Sequence, residues 1–263
     1  MAKLTVNGVE LAYDDVGKGD PPFVFIHGFA CDRTFWAPQV EDLGRDFRCV
    51  TVDLRGRGES VAVGPFDTTT AAEDVAALIQ ALKLDRPVVV GHSLGGLVCL
   101  RLNDLHPGLV RGIVLGDSPL NGARGGFDSA VAAINAEGSM GPMATMIESF
   151  FVEDTPHDVR DHARTTMLTC PADVAAGMLS NSQVFVDRLD EMLKEADKKP
   201  FMAIWADRPL GDPNHLRDIT MFVRQEPIPG AGHFFQLEQP AITNALLRAF
   251  VDDVRRDPRL NSA

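Results

Sequence analysis

Val88-Val89-Val90-Gly91-His92-Ser93-Leu94-Gly95-Gly96 is a run of β-branched residues closed by a Gly-x-Ser-x-Gly pattern, and the apolar stretch Leu97-Val98-Cys99-Leu100-Arg101-Leu102 follows it directly. Three consecutive valines suit a strand buried on both faces. The small residues after them allow a turn sharp enough to expose the Ser93 hydroxyl at the end of a sheet, beside a helix amino terminus. The same pattern also occurs as a plain strand-to-helix turn, but with a buried strand before it and a helix after it Ser93 reads as a nucleophile.

Outward from this elbow the chain repeats the same rhythm. Leu4-Thr5-Val6, Asn7-Gly8 and Val9 to Tyr13 read as a hairpin, because Asn-Gly supplies the two positive-φ positions of a tight turn. Short unalternated apolar runs at Phe23 to Ile26, Cys49 to Val52, Pro87 to Val90 and Ile113 to Leu115 alternate with helical stretches at Phe35 to Leu43 and Thr68 to Leu84. That alternation predicts a mostly parallel sheet with helices on both faces and ligands near the carboxyl ends of its strands. From 121 to 199 the pattern turns helical, with Phe185, Leu189, Met192 and Leu193 at i, i+4, i+7 and i+8, and reads as an inserted helical cap. The core is then 1–120 and 200–263, where strands return at Phe201 to Trp205 and Phe222 to Ile228 before a closing helix that opens on Pro240.

A serine hydroxyl needs a base, and the base belongs on another strand-end loop late in the chain. Gly230-Ala231-Gly232-His233-Phe234-Phe235 lies between the last strand and the closing helix, which aims His233 back across the same edge. His106, His157, His162 and His215 occupy polar contexts and read as surface residues. His27 and His92 sit inside glycine motifs and read as loop-holding residues.

His27-Gly28-Phe29-Ala30, Asp53-Leu54-Arg55-Gly56-Arg57-Gly58-Glu59-Ser60, the Ser93 elbow and Gly230 to His233 occur in one order along nearly the whole chain. In this the sequence resembles the α/β-hydrolase superfamily, specifically small esterase-like and lyase-like members with a helical cap. The resemblance implies an α/β-hydrolase fold, a triad of Ser93, His233 and an aspartate, and an oxyanion hole made by the backbone N–H groups of Phe29 and Leu94. The region 28–32 also looks like the oxyanion loop of hydrolases related to the strigolactone-receptor group. The Asp53 to Ser60 motif reads as a turn that Asp53 and Arg55 hold by hydrogen bonds.

The acid departs from the pattern. Most relatives carry it after the seventh strand, where this chain has Trp205-Ala206-Asp207-Arg208-Pro209-Leu210 and a proline stands at the expected place. Asp207 is one candidate. The other is Asp117, which ends Ile113-Val114-Leu115-Gly116-Asp117 after the sixth strand, where dehalogenase-like relatives can carry the acid. Asp117 is preferred, because the altered loop removes its usual competitor.

Composition bounds the partners. Over 263 residues, 45% are hydrophobic and 24% charged, enough for a full core without metal or disulfide staples. A net charge of −12 disfavours nucleic acid and anionic membranes. The four cysteines form no C-x-x-C pair, and no metal site or cofactor is expected. With no signal peptide and no long apolar span, a cytoplasmic setting is expected. Methionines and phenylalanines between 121 and 199, mostly packing between cap helices, together with an excess of acidic residues there, favour a neutral substrate. The expected partner is therefore a small molecule with an apolar acyl group, hydrolysed as an ester or lactone. A cofactor-independent lyase and a receptor with little turnover are the rival readings on the same fold.

Overall fold

A computed structural model describes residues 1–120, 126–180 and 183–260. In chain order come β1 (Ala2–Val6), β2 (Val9–Val16), β3 (Phe23–Ile26), α1 (Ala37–Leu43), β4 (Cys49–Val52), α2 (Thr68–Ala81), β5 (Val88–His92), α3 (Leu94–Leu105) and β6 (Gly112–Gly116). The helices α4 (Gly126–Glu137), α5 (Ala144–Ser149), α6 (His157–Leu168), α7 (Ala172–Leu179) and α8 (Gln183–Ala196) follow. The chain then forms β7 (Phe201–Trp205), α9 (Pro213–Ile219), β8 (Arg224–Pro227), α10 (Phe235–Glu238) and α11 (Pro240–Arg256).

The eight strands form one sheet in the order β1-β2-β4-β3-β5-β6-β7-β8. The first two strands run antiparallel and β3 to β8 run parallel, which is the α/β-hydrolase arrangement. The opening hairpin turns through Asn7 and Gly8 at φ 49° and 77°, the two positive values that an Asn-Gly turn supplies.

Alternate side chains of each strand enter different cores, as a period of two requires. Phe23, Phe25, Cys49, Val88, Val90, Val114, Met202 and Ile204 pack on one face with Trp36, Leu43, Leu247, Phe250 and Val251, beneath α1 and α11. Val24, Ile26, Val50, Val52, Val89, Ile113 and Leu115 face the other way onto Val75, Leu78, Ile79, Leu97, Val98 and Leu100 of α2 and α3. Burial on both faces explains why these strands read as unbroken apolar runs.

Two elements differ from the sequence reading. The helix expected over Phe35 to Leu43 is a 3₁₀ turn at Arg33–Trp36 followed by α1, with Pro38 in its first turn. Proline has no N–H to carry a helical bond back to Thr34, so the helix restarts there. The last strand is shorter than Phe222 to Ile228, because the Phe222 N–H bonds the Asp197 carboxylate at 3.1 Å and its ring points outward.

Between β6 and β7, α4 packs on α7 and α5 on α6. Helix α8 lies on α3 and α9, burying the stripe Phe185, Leu189, Met192, Leu193 and Ala196. The start of the insertion read from the sequence, 121–125, lies outside the described residues.

Candidate active site

The carboxyl ends of the neighbouring strands β3, β5 and β6, and of β8 beyond β7, lie along one edge of the sheet. β3 runs into His27-Gly28-Phe29, β5 into Ser93, β6 into Asp117, and the loop after β8 brings back His233. Each side chain follows the strand that carries it, so the sheet itself holds the constellation.

Ser93 sits at φ 53° and ψ −120°, a conformation that costs a non-glycine residue about 1–3 kcal/mol and persists only where the surroundings impose it. Its N–H donates to the Gly116 carbonyl of β6 at 2.7 Å, and the next residue, Leu94, begins α3. The flanking glycines are required by space. A Cβ at Gly91 would collide with the Gly95 carbonyl, and one at Gly95 with the carbonyls of Ile26 and His27. The loop after β3 also packs closely here, since a Cβ at Gly28 would lie 3.2 Å from that of Ser93. As the first residue of α3, Leu94 has no intrahelical acceptor for its N–H, and Phe29 follows Gly28, which packs against Ser93.

Asp117 and His233 are brought together directly. His233 Nδ1 lies 2.6 Å from Asp117 Oδ2, with the residues 5% and 1% exposed. The other oxygen, Oδ1, accepts from the N–H groups of Leu210 at 3.0 Å and Ala206 at 3.4 Å. The loop after β7, where the resemblance places the acid of most relatives, thus offers its backbone to the acid of β6. Asp117 takes a left-handed φ of 40°, which aspartate tolerates better than most residues. Asp207 does not reach the histidine: it is exposed, and its N–H donates to the Ala231 carbonyl at 3.0 Å.

The His233 backbone is fixed from both sides. Its N–H donates to the Phe150 carbonyl at 2.8 Å, and its own carbonyl accepts from His92 Nε2 at 2.8 Å. The ring lies between Phe150, 4.3 Å away between centroids, and His92, 4.5 Å away. His92 therefore ties the residue before Ser93 to the histidine loop. A cleft of about 130 Å³ opens beside this pair, lined by Asp117, Phe150, Phe151, Arg208, Leu210 and His233.

His27 and His92 hold loops, as their motifs suggest. His27 Nδ1 lies 2.8 Å from the Gly28 carbonyl, which can only accept, so Nε2 is the lone-pair nitrogen that receives the Leu54 N–H at 3.0 Å. Burial pushes both histidines below their ordinary value of 6.5, His92 well below. The unfolded chain then binds protons that the folded protein does not, and stability rises with pH in that range. Melting temperature is expected to fall as pH drops below about 6.5, by up to ~1.4 kcal/mol of stability per pH unit for each histidine that stays neutral. Thermal melts from pH 8 to 5 test this, and a flat profile below pH 6.5 contradicts it.

His106 pairs with Glu73 and His215 with Asp190 on the surface. His162 is half-buried, 3.0 Å from Thr34 Oγ1 and against the Phe35 ring, joining α6 to the turn after β3. In the Asp53 motif, Asp53 accepts from the N–H groups of Arg33 at 2.7 Å and Glu59 at 2.8 Å, while Arg55 forks onto Asp74 at 2.6 Å. Two residues escape the sequence reading: Phe150, whose carbonyl accepts from the His233 N–H, and Arg57, which donates to the carbonyls of Ala30 and Cys31 after Phe29. The only signal for Arg57 is an arginine between two glycines of that motif.

The model of the alpha/beta hydrolase family matches residues 23–246. The chain belongs to the α/β-hydrolase family. It is 32% identical over 259 residues, covering 92% of this chain and 98% of the other, to a Mycobacterium tuberculosis protein named for non-heme bromoperoxidase activity. Among solved structures, a thermophilic esterase from Thermogutta terrifontis superposes with a TM-score of 0.85 at 26% identity, covering 97% of this α/β-hydrolase and 99% of the esterase. Est816, described as an N-acyl homoserine lactone degrading enzyme, superposes with a TM-score of 0.83 at 26% identity, over 95% and 100% of the two chains. Among the described residues, no helix of this α/β-hydrolase is long and apolar enough to cross a membrane, and no group of three or more histidine, cysteine or carboxylate side chains is placed to hold a metal ion.

Proposed function

We propose that this α/β-hydrolase is a cofactor-independent serine hydrolase of small, largely apolar carboxylic esters or lactones. The observation that carries the reading is the buried 2.6 Å contact between His233 and Asp117, at the sheet edge where Ser93 occupies a strained elbow. The esterase and lactonase relatives support the same chemistry.

With Nδ1–H donated to Asp117, His233 keeps its lone pair on Nε2 and can take a proton there. Ser93 Oγ attacks the substrate carbonyl as its proton moves to Nε2, and the N–H groups of Phe29 and Leu94 receive the oxyanion. Collapse breaks the ester C–O bond, and the alcohol leaves with the proton from Nε2. In a lactone that alcohol stays tethered. Water then repeats the sequence on the acyl-enzyme and releases the acid. Helices α4 to α7 act as a cap over this edge, and Phe150 carries its contribution to the histidine.

A panel of chromogenic esters tests the reading directly. Hydrolysis through a Ser93-linked acyl intermediate is expected, whereas ligand binding without turnover points to a receptor. Release of aldehyde and cyanide from a cyanohydrin points to a lyase. The buried cap side chains Met140, Met143, Met167 and Met178 make the cap apolar, and each further buried methylene contributes ~0.8 kcal/mol until the cavity is full. kcat/KM is therefore expected to rise and then fall with acyl chain length. A flat profile, or a preference for charged acids, would mean that these side chains pack only against one another.

A further inference from the structure

Arg57 is 6% exposed, yet among the described residues no carboxylate lies within ion-pair distance of it. The arginines around it behave otherwise: Arg55, in the same motif, pairs with Asp74, and Arg33 pairs with Asp14, Asp53 and Glu59. The Arg57 cation is held by three main-chain carbonyls. Nε donates to Cys31 at 3.0 Å, and Nη2 donates to Ala30 at 2.7 Å and to Thr166 at 3.1 Å.

Ala30 and Cys31 belong to the turn that carries Phe29, and Thr166 lies in the last turn of α6. Ala30 takes a left-handed φ of 56°, and the turn is closed by the Cys31 N–H to the Gly28 carbonyl at 3.2 Å. A strained turn of this kind persists only if something outside it fixes its peptide planes. Arg57 does so at two successive carbonyls directly after Phe29. A helix carboxyl terminus is also a favourable place for a cation, and the planar fork offers Nε and Nη2 as two separately placed donors, where a lysine has a single nitrogen.

We propose that Arg57 is a positioning residue: it holds the oxyanion loop so that the Phe29 N–H faces the carbonyl attacked by Ser93, and it fastens that loop to α6. It touches no reacting atom and acts through Phe29. The proposal rests on the serine-hydrolase reading above.

Steady-state hydrolysis of a chromogenic ester by wild type, Arg57→Ala, Arg57→Lys and Ser93→Ala, with circular dichroism of each, tests it. A single oxyanion donor can be worth 10²–10³ in kcat, so a displaced one is expected to lower kcat at least tenfold in Arg57→Ala. KM should stay within about threefold, and millimolar guanidinium should restore part of the loss, because a loop that only stabilised the fold would not move kcat alone. Arg57→Lys, which has one donor nitrogen where arginine offers both Nε and Nη2, should lose about three- to tenfold in kcat at similar KM. If Arg57→Ala does not fold, the lysine variant decides. Wild-type kcat in either variant overturns the proposal, as does an alanine loss that follows KM or resists guanidinium. Turnover retained by Ser93→Ala would instead overturn the hydrolase reading itself, whatever Arg57 does.

Discussion

Ser93→Ala is expected to lose ester turnover by as much as ~10⁶-fold, the scale seen when the nucleophile of a serine protease is removed. The size follows from what remains. His233, Asp117 and the oxyanion N–H groups would still bind and polarise a carbonyl, but no oxygen would be placed to form the acyl bond. The fold should tolerate the change, because the strained φ and ψ at Ser93 are imposed by the Gly91, Gly95 and Gly28 contacts rather than by its hydroxyl. In wild type an organophosphonate should add one adduct mass to the peptide carrying Ser93, and the variant should take none. Turnover retained at the wild-type level, with the adduct on another residue, would sink the mechanism.

Legibility in the amino-acid sequence depends on distance along the chain. Local signals are plain: Asn7-Gly8 makes its turn through its own φ values, and the valines before Gly91 mark a strand by β-branching and burial. The Ser93 elbow is legible because its glycines answer to atoms within a few residues or on the adjacent strand. Asp117 can be preferred to Asp207 because Pro209 breaks the loop where the resemblance places the acid of most relatives. That proline does not reveal that the same loop, through the N–H groups of Ala206 and Leu210, grips Asp117. Backbone groups have no sequence signature, so the Phe150 carbonyl on the His233 N–H is equally hidden. Arg57 is hidden for the same reason, since the three main-chain carbonyls it bonds carry no sequence signature and one lies 109 residues away.

Asp117→Asn is expected to reduce kcat by at least 10² and by as much as ~10⁴, the loss seen when the triad aspartate of a serine protease becomes asparagine. The hydrogen bonds here specify why. Asp117 Oδ1 already accepts from the N–H groups of Leu210 and Ala206, so an asparagine would keep its carbonyl oxygen there and turn its NH₂ toward His233. Two donors cannot face each other at 2.6 Å, and the imidazole would move its proton from Nδ1 to Nε2. A protonated Nε2 cannot accept the Ser93 proton, and acylation fails although the substrate still binds. KM should therefore change little, and melting should show an intact fold. Asp207→Asn should cost less than about tenfold, because an exposed carboxylate away from His233 contributes little. The opposite ranking would return the acid to the loop after β7. Small losses from both variants would mean that another group orients His233, or that Ser93 is not the nucleophile.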